Sequence, residues 1–293
     1  MYYIVYSLLW LLSLLPLRFL YFISDCIYFI IFYCIGYRKK IVLQNLQKAY
    51  PEKSTEEIKK IVRSFYHKFI DSMIESIKLF SADNSFIRKH VQMDFSAFDH
   101  PSLQNKPFQI HAGHQFNWEY LNLALSLQLK QPLVAVYMPI KSAIFEKMFH
   151  KIRSKNGTVL LPATDLKNRF QEWRNKPHGL VLVADQSPGD PNHAFWLPFF
   201  NQLTPFVKGP ERHAREKACP VVFIYTRILK RGYYELKSEI LTEDASKLGE
   251  GELTRLYVKR MTEVINVQPE NWLWSHRRWK HQWKPEYGSL EHK

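Results

Sequence analysis

The sequence predicts an α/β fold, a sheet covered on both faces by helices, with an apolar N-terminal segment attached to it. Three observations carry this. Short aliphatic and β-branched runs recur at residues 133–138, 157–161, 179–184 and 221–228. Helical stretches lie between them at 142–154 and 164–173, and residues 2–37 are almost wholly apolar. Strands buried on both sides read as continuous apolar runs, and their alternation with helices marks a layered α/β sheet.

Taken in order, residues 2–17 and 19–37 are apolar, with Arg18 between them and Ser24-Asp25 breaking the second run. A spanning helix needs about 20 apolar residues. A signal peptide would need a basic start and a small-residue cleavage site, and neither is present. Arg38, Lys39 and Lys40 follow directly, which places that flank on the cytoplasmic side. Two topologies fit: one tilted spanning helix, or a monotopic hairpin lying in one leaflet. The expected division is a membrane anchor at 1–40 and a catalytic domain at 41–293. Beyond the anchor, Ser54-Thr-Glu-Glu57 is a capping box, and Ile58, Ile61, Val62, Phe65, Phe69, Met73 and Ile77 continue at helical spacing. Residues 107–111 read as a short buried strand and 118–129 as an apolar helix.

Charge and cysteine usage narrow the function classes. The formal net charge is +14, from 41 Lys and Arg against 27 Asp and Glu. That excess favours anionic partners. Cys26, Cys34 and Cys219 make no metal or redox spacing, which suits a reducing compartment and buried thiols. No Gly-x-Ser-x-Gly elbow and no papain-like cysteine box occur.

The chemistry concentrates in His111-Ala-Gly-His-Gln-Phe-Asn-Trp-Glu119. His114 falls at a strand-to-helix junction, five residues before Glu119. Side chains five apart on a helix diverge by about 140°. The two meet only if His114 precedes the helix and Glu119 sits in its first turn. A carboxylate on one imidazole nitrogen fixes the tautomer and leaves the other nitrogen to accept a proton. The expected pair is therefore His114 as base and Glu119 as the group holding its ring, with Asn117 as helix cap. His111 reads as a packed histidine.

His-x-x-Asn-Trp-Glu resembles the signature of the bacterial lipid A late acyltransferases, within the glycerolipid acyltransferase superfamily. Three further segments carry the resemblance: Arg38-Lys-Lys-Ile-Val-Leu-Gln-Asn-Leu-Gln-Lys-Ala-Tyr-Pro-Glu52, Ala184-Asp-Gln186 with Leu197-Pro-Phe-Phe200, and Asn271-Trp-Leu-Trp-Ser-His-Arg-Arg-Trp-Lys280. It runs in order from about residue 2 to 281. The resemblance implies a mixed sheet flanked by helices. It also implies acyl transfer from a thioester donor, acyl carrier protein, to a hydroxyl of a phosphorylated glycolipid, the lipid A precursor. No metal or other cofactor is implied, and the expected place is the cytoplasmic face of the inner membrane. Rival readings are acylation of an ornithine lipid or a phosphatidylinositol mannoside, or a non-catalytic membrane-anchored polyanion binder.

Several residues take a role from the resemblance beside a plainer one. Asp185 and Gln186 are implied at the site, where Asp185 otherwise reads as a loop acid or cap. Arg153 is implied near it for phosphate or oxyanion contact, where it otherwise reads as a solvated helix end. Asn201 stands where the family usually has glycine, and asparagine tolerates positive φ. The neighbouring phenylalanines line an acyl tunnel or pack the core. The tail at 272–283 interleaves four tryptophans with His276, Arg277, Arg278, Lys280 and His281. Such a pattern stacks on nucleic acid or grips phosphates at a bilayer interface. With an apolar anchor in the same chain the second is expected, with Arg277 and Arg278 as phosphate or donor contacts and no nucleic acid.

Overall fold

A computed structural model describes residues 1–287; the last part of the expected catalytic domain, 288–293, lies outside the described residues. The helices are α1 (Tyr2–Ser13), α2 (Leu17–Phe29), α3 (Lys39–Ala49), α4 (Thr55–Lys78), α5 (Asn84–His90), α6 (Trp118–Gln128), α7 (Ala143–Arg153), α8 (Leu166–Arg169), α9 (Gly209–Glu216) and α10 (Glu252–Val267). The strands are β1 (Val91–Met93), β2 (Phe108–Ala112), β3 (Leu133–Tyr137), β4 (Val159–Pro162), β5 (Gly179–Val183), β6 (Ala194–Phe199), β7 (Gln202–Val207), β8 (Val221–Lys230) and β9 (Tyr233–Thr242).

Seven strands form one mixed sheet in the order β1-β9-β8-β2-β5-β3-β4. From β8 to β4 the pairing is parallel, while β9 runs antiparallel to β8. The central strand β2 is buried at every position, so its polar members must pair inside the protein. Gln109 does this by bonding both His111 Nε2 and His213 Nδ1, each at 2.8 Å. Burial pushes His111 down to about 4, so it is a neutral packed residue, as expected. One face of the sheet packs on α5 and α6, the other on α4 and α10.

The capping box at Ser54 and Glu57 is formed, and α4 runs for 24 residues with its apolar stripe inward except at Met73, which is exposed. The expected helix at 164–173 is instead one short α turn, α8, between two 3-10 turns. Leu197-Pro-Phe-Phe200 enters a β6–β7 hairpin. The positive φ in its turn falls on Phe200, at 54°, and not on Asn201. Phe199 is fully buried against Phe206, Trp272 and Trp279, which settles its place as core packing.

The apolar N-terminus packs along the same core. Leu20, Tyr28 and Phe32 lie inward, while Phe19, Phe22, Phe29, Ile30 and Tyr33 point out. Residues Leu17–Ile35, which end in a π-helical stretch, have a mean hydropathy of 1.7 and suffice in length to cross a membrane. Cys26 and Cys34 are on the outward side, contrary to the expectation of buried thiols; Cys219 is buried.

Candidate active site

The sheet register builds the site. Ala112 of β2 pairs with Val183 of the neighbouring parallel strand β5. His114 and Asp185 each follow two residues later, so both leave the carboxyl end of the sheet at one level, where α/β folds place their ligands. Asp185 Oδ1 lies 2.6 Å from His114 Nδ1, and Oδ2 accepts the His114 backbone N–H at 2.8 Å. Trp272 Nε1 donates to the same Oδ2 at 2.6 Å. Asp185 is 1% exposed. Burial alone would raise its pKa, but the His114 imidazole and the three hydrogen bonds outweigh it and hold the carboxyl down at about 2. With Nδ1–H committed to Asp185, His114 Nε2 is the accepting nitrogen. Gln186 Nε2 donates to it at 3.0 Å, and the ring stays about a quarter exposed.

Gly113, between β2 and His114, carries the close approach. A Cβ there would collide with the Met261 thioether of α10 and crowd Asp185 Oδ2. Any larger residue would have to displace Met261 from between sheet and helix and press on the carboxylate that holds His114.

Glu119 requires a correction. It does sit in the first turn of α6, but its carboxylate faces α7 rather than the imidazole. Arg153 grips it with Nη2 to Oε1 at 2.6 Å and Nε to Oε2 at 3.0 Å, and Trp118 Nε1 adds a bond at 3.2 Å. The physical reason is the pairing of helix ends: an acid at the N-terminus of α6 meets an arginine in the last turn of α7, each favoured by its own helix dipole. Arg153 is mostly buried; burial opposes its charge, and the Glu119 carboxylate outweighs that, so the group is held more firmly protonated. It is no solvated helix end. Asn117 caps α6 as expected, its Oδ1 accepting the Glu119 and Tyr120 amides at 3.1 and 3.3 Å.

The terminal arginines part company. Arg277 is exposed. Arg278 is fully buried, with Nη2 on the Pro205 carbonyl at 2.8 Å and its guanidinium 4.4 Å from the Phe206 ring centre. Burial pushes it down to about 10. The expectation that it contacts lipid phosphate or donor is therefore corrected: the chain turns tightly here, with the Arg278 N–H bonded to the His276 carbonyl, and this leaves Arg277 outward while Arg278 faces the β6–β7 hairpin. His276 accepts the Ser187 N–H through Nε2, and burial together with nearby Arg278 depresses it to about 4, so it stays neutral. Arg278→Gln is expected to lower the melting temperature by about 5–10 °C, the scale of a lost buried polar tie in a chain of this size. Arg277→Gln should leave the melt unchanged and raise KM with a flatter salt dependence of kcat/KM. A salt profile altered by Arg278→Gln alone would reverse this assignment.

Sequence reasoning did not single out Trp272, Asn271 or Glu75. Asn271 accepts the Phe116 N–H at 3.0 Å and donates to the Thr226 carbonyl at 2.8 Å, so the closing segment ties the His114 loop to β8. Leu273 N–H bonds the His114 carbonyl at 3.1 Å. The available signal was the Asn-Trp pair opening that segment. For Glu75 the signal was one acid among the helix positions that pack the core.

Comparisons with known proteins show the family. The family described as bacterial lipid A biosynthesis acyltransferase matches residues 1–281. The lipid A biosynthesis lauroyltransferase of Escherichia coli (strain K12) is 24% identical over 250 residues, covering 83% of this chain and 79% of that protein. The palmitoleoyltransferase of the same organism is 22% identical over 248 residues, with the same coverage. A Shigella flexneri lipid A biosynthesis acyltransferase matches to the same extent, at 22% over 248 residues. A histidine and an aspartate joined at the ends of adjacent parallel strands, in a chain matched almost throughout by one family, lead to one conclusion: this protein belongs to the bacterial lipid A biosynthesis acyltransferases and is an acyltransferase.

Proposed function

We propose that the protein transfers a fatty acyl group from the thioester of acyl carrier protein to a hydroxyl of a phosphorylated lipid A precursor, at the cytoplasmic face of the inner membrane. The observation that carries the mechanism is the 2.6 Å bond between His114 Nδ1 and Asp185 Oδ1, which leaves Nε2 as the base. The acceptor hydroxyl replaces the Gln186 amide at Nε2 and gives it a proton. Its oxygen attacks the thioester carbonyl, forming the new C–O bond. As the tetrahedral intermediate collapses, the C–S bond breaks and the sulfur takes the proton back from imidazolium and leaves as a thiol. Asp185 keeps the ring oriented and stabilises its cationic form. Exposed Arg277 supplies positive charge for phosphate or for an acidic carrier, whereas the charge of Arg153 is balanced by Glu119.

Apolar surface beside the site suits an acyl chain: Val183 at the end of β5 and Met138 just beyond β3 are both exposed. The test is direct. Purified protein is given acyl carrier protein loaded with a fatty acid and an incompletely acylated lipid A precursor, while free thiol and product mass are followed. One thiol released per acyl group gained is expected; thiol release without a heavier lipid, or neither, would overturn the reading.

Attachment to one leaflet is the topology the packing favours. The inward face of α2 is held by α4, with Ser24 Oγ on Asp71 at 2.6 Å and Arg231 bridging Asp25 and Asp71. A bilayer-spanning α2 would bring these charges into the hydrocarbon. Deleting residues 1–37 would also strip the cover from Phe65, Tyr66 and Phe69, so the outward face is the better target. Phe22→Asp with Phe29→Asp should weaken membrane partitioning by about 100-fold or more, given about 1.5–3 kcal/mol for each phenylalanine buried. What remains should be washed off by salt. Retention of that variant through an alkaline carbonate wash would place the anchor elsewhere.

A further inference from the structure

Glu75 is an acid that the mechanism above does not use. It lies in α4 at 0% exposure, and its hydrogen-bond partners among the described residues are neutral side chains. Arg231, which bonds Asp71 one turn away on α4, is committed to that acid and to Asp25. A buried carboxyl without a counter-charge is costly unless its oxygens are satisfied by donors. Here three donors reach it from three elements: Tyr21 Oη of α2 at 2.8 Å, Tyr234 Oη of β9 at 2.5 Å, and Asn117 Nδ2 from the loop before α6 at 3.1 Å. The Tyr21 hydroxyl gets there past Gly232, where a Cβ would collide with it.

The Asn117 contact is the informative one. A side-chain amide presents oxygen on one side and NH2 on the other. Asn117 caps α6 only with its oxygen toward the Glu119 and Tyr120 amides, so its NH2 must face Glu75. A carboxylate offers only acceptors and admits no other orientation. If the amide turned over, NH2 would confront two backbone N–H groups and the cap would be lost.

We infer that Glu75 is a positioning residue for this site: its carboxyl orients the Asn117 amide, and so fixes the first turn of α6 and the Glu119–Arg153 pair, while joining them through Tyr21 to the outward apolar helix. Its kinetic part rests on the acyl-transfer reading; its structural part does not. The groups facing the carboxyl are Tyr21 from α2, Asp71 from α4 itself, Tyr120 from α6, Tyr234 from β9 and Asn117. Burial, partly offset by the three hydrogen bonds, raises Glu75 to about 7.

The test exchanges the two partners in the full-length protein. Asn117→Asp sets two carboxyls against each other: the lost amide donor and the new like charge raise the pair's pKa further, and once the shared proton leaves they repel. As the pH is raised from about 7 to about 10, that variant should lose about 10- to 100-fold in kcat relative to wild type at the same pH, with faster hydrogen exchange at the Glu119 and Tyr120 amides after correction for the intrinsic rate. Adding Glu75→Gln supplies an NH2 to the carboxylate that Asn117→Asp introduces. The double variant should recover kcat to within tenfold of wild type, together with amide protection. Glu75→Leu, which offers no acceptor, should lose kcat and protection, and Asn117→Asp should not rescue it. If Glu75→Leu does not fold, the Asn117→Asp variant with and without Glu75→Gln still decides. Equal protection of the α6 amides in the Asn117→Asp variant and in the double variant overturns the inference. Because the exchange readout needs no substrate, an enzyme inactive on lipid A precursors would overturn the function without touching this inference.

Discussion

Asp185→Asn should cut acyl-transfer turnover by about 10³–10⁴-fold at nearly unchanged KM, the scale seen when the carboxylate behind a catalytic imidazole becomes an amide. The substitution is isosteric, and an amide oxygen still accepts from the His114 backbone and Trp272. What it presents to Nδ1 is NH2, which cannot take the ring proton. The imidazole then carries its hydrogen on Nε2, the atom that must receive one from the acceptor hydroxyl. Acid stability should change in a defined direction. The folded-state carboxyl is held below its ordinary value, at about 2, so its stabilising contribution is present above about pH 4 and fades as pH falls toward 2. The variant should show less of that loss between about pH 4 and 2. Turnover within tenfold of wild type would remove Asp185 from the reaction.

The second large effect separates two residues only five apart. His114→Ala should lower kcat by about 10²–10⁴-fold, the range for losing a general base, with a moderate fall in melting temperature, because buried Asp185 loses the imidazole but keeps its bonds from the residue-114 backbone N–H and Trp272. Glu119→Gln should instead act on the fold. It removes the counter-charge from a mostly buried guanidinium, and breaking such a pair costs about 3–5 kcal/mol. Activity per folded molecule should fall less than in His114→Ala, while the melt moves further. Melting curves beside kcat for both variants check this. A Glu119→Gln protein that melts like wild type but turns over like His114→Ala would return Glu119 to the imidazole.

Much of this was legible from local pattern. Strands β3, β4 and β5 and the first half of β8 are apolar runs because helices lie on both faces of the sheet, and such runs are visible residue by residue. β9 escaped notice because Glu235, Lys237 and Glu239 alternate with its apolar positions, which hides a strand from a search for continuous apolarity. At the site, His114 was legible and its partner was mistaken. Spacing reports neighbours along the chain, whereas Asp185 reaches the ring across a parallel pairing, a relation that sequence distance does not encode. Glu119 looked like the partner because it lies close, yet its helix start points it at Arg153. Arg277 and Arg278 looked like one basic motif, and only the backbone direction shows that one faces solvent and the other the core.

The bond from Trp272 to Asp185 also sets an order of events during synthesis. The apolar segment Leu17–Ile35 is made early, and Asn271, Trp272 and Leu273, which brace the His114 loop, are made late. At about 5–20 residues per second, roughly ten to fifty seconds separate them. A nascent chain therefore has time to settle on a lipid surface while His114 still lacks its final bracing. His114 gains that bracing only when residues 271–273 fold back against its loop, long after the apolar segment has been made.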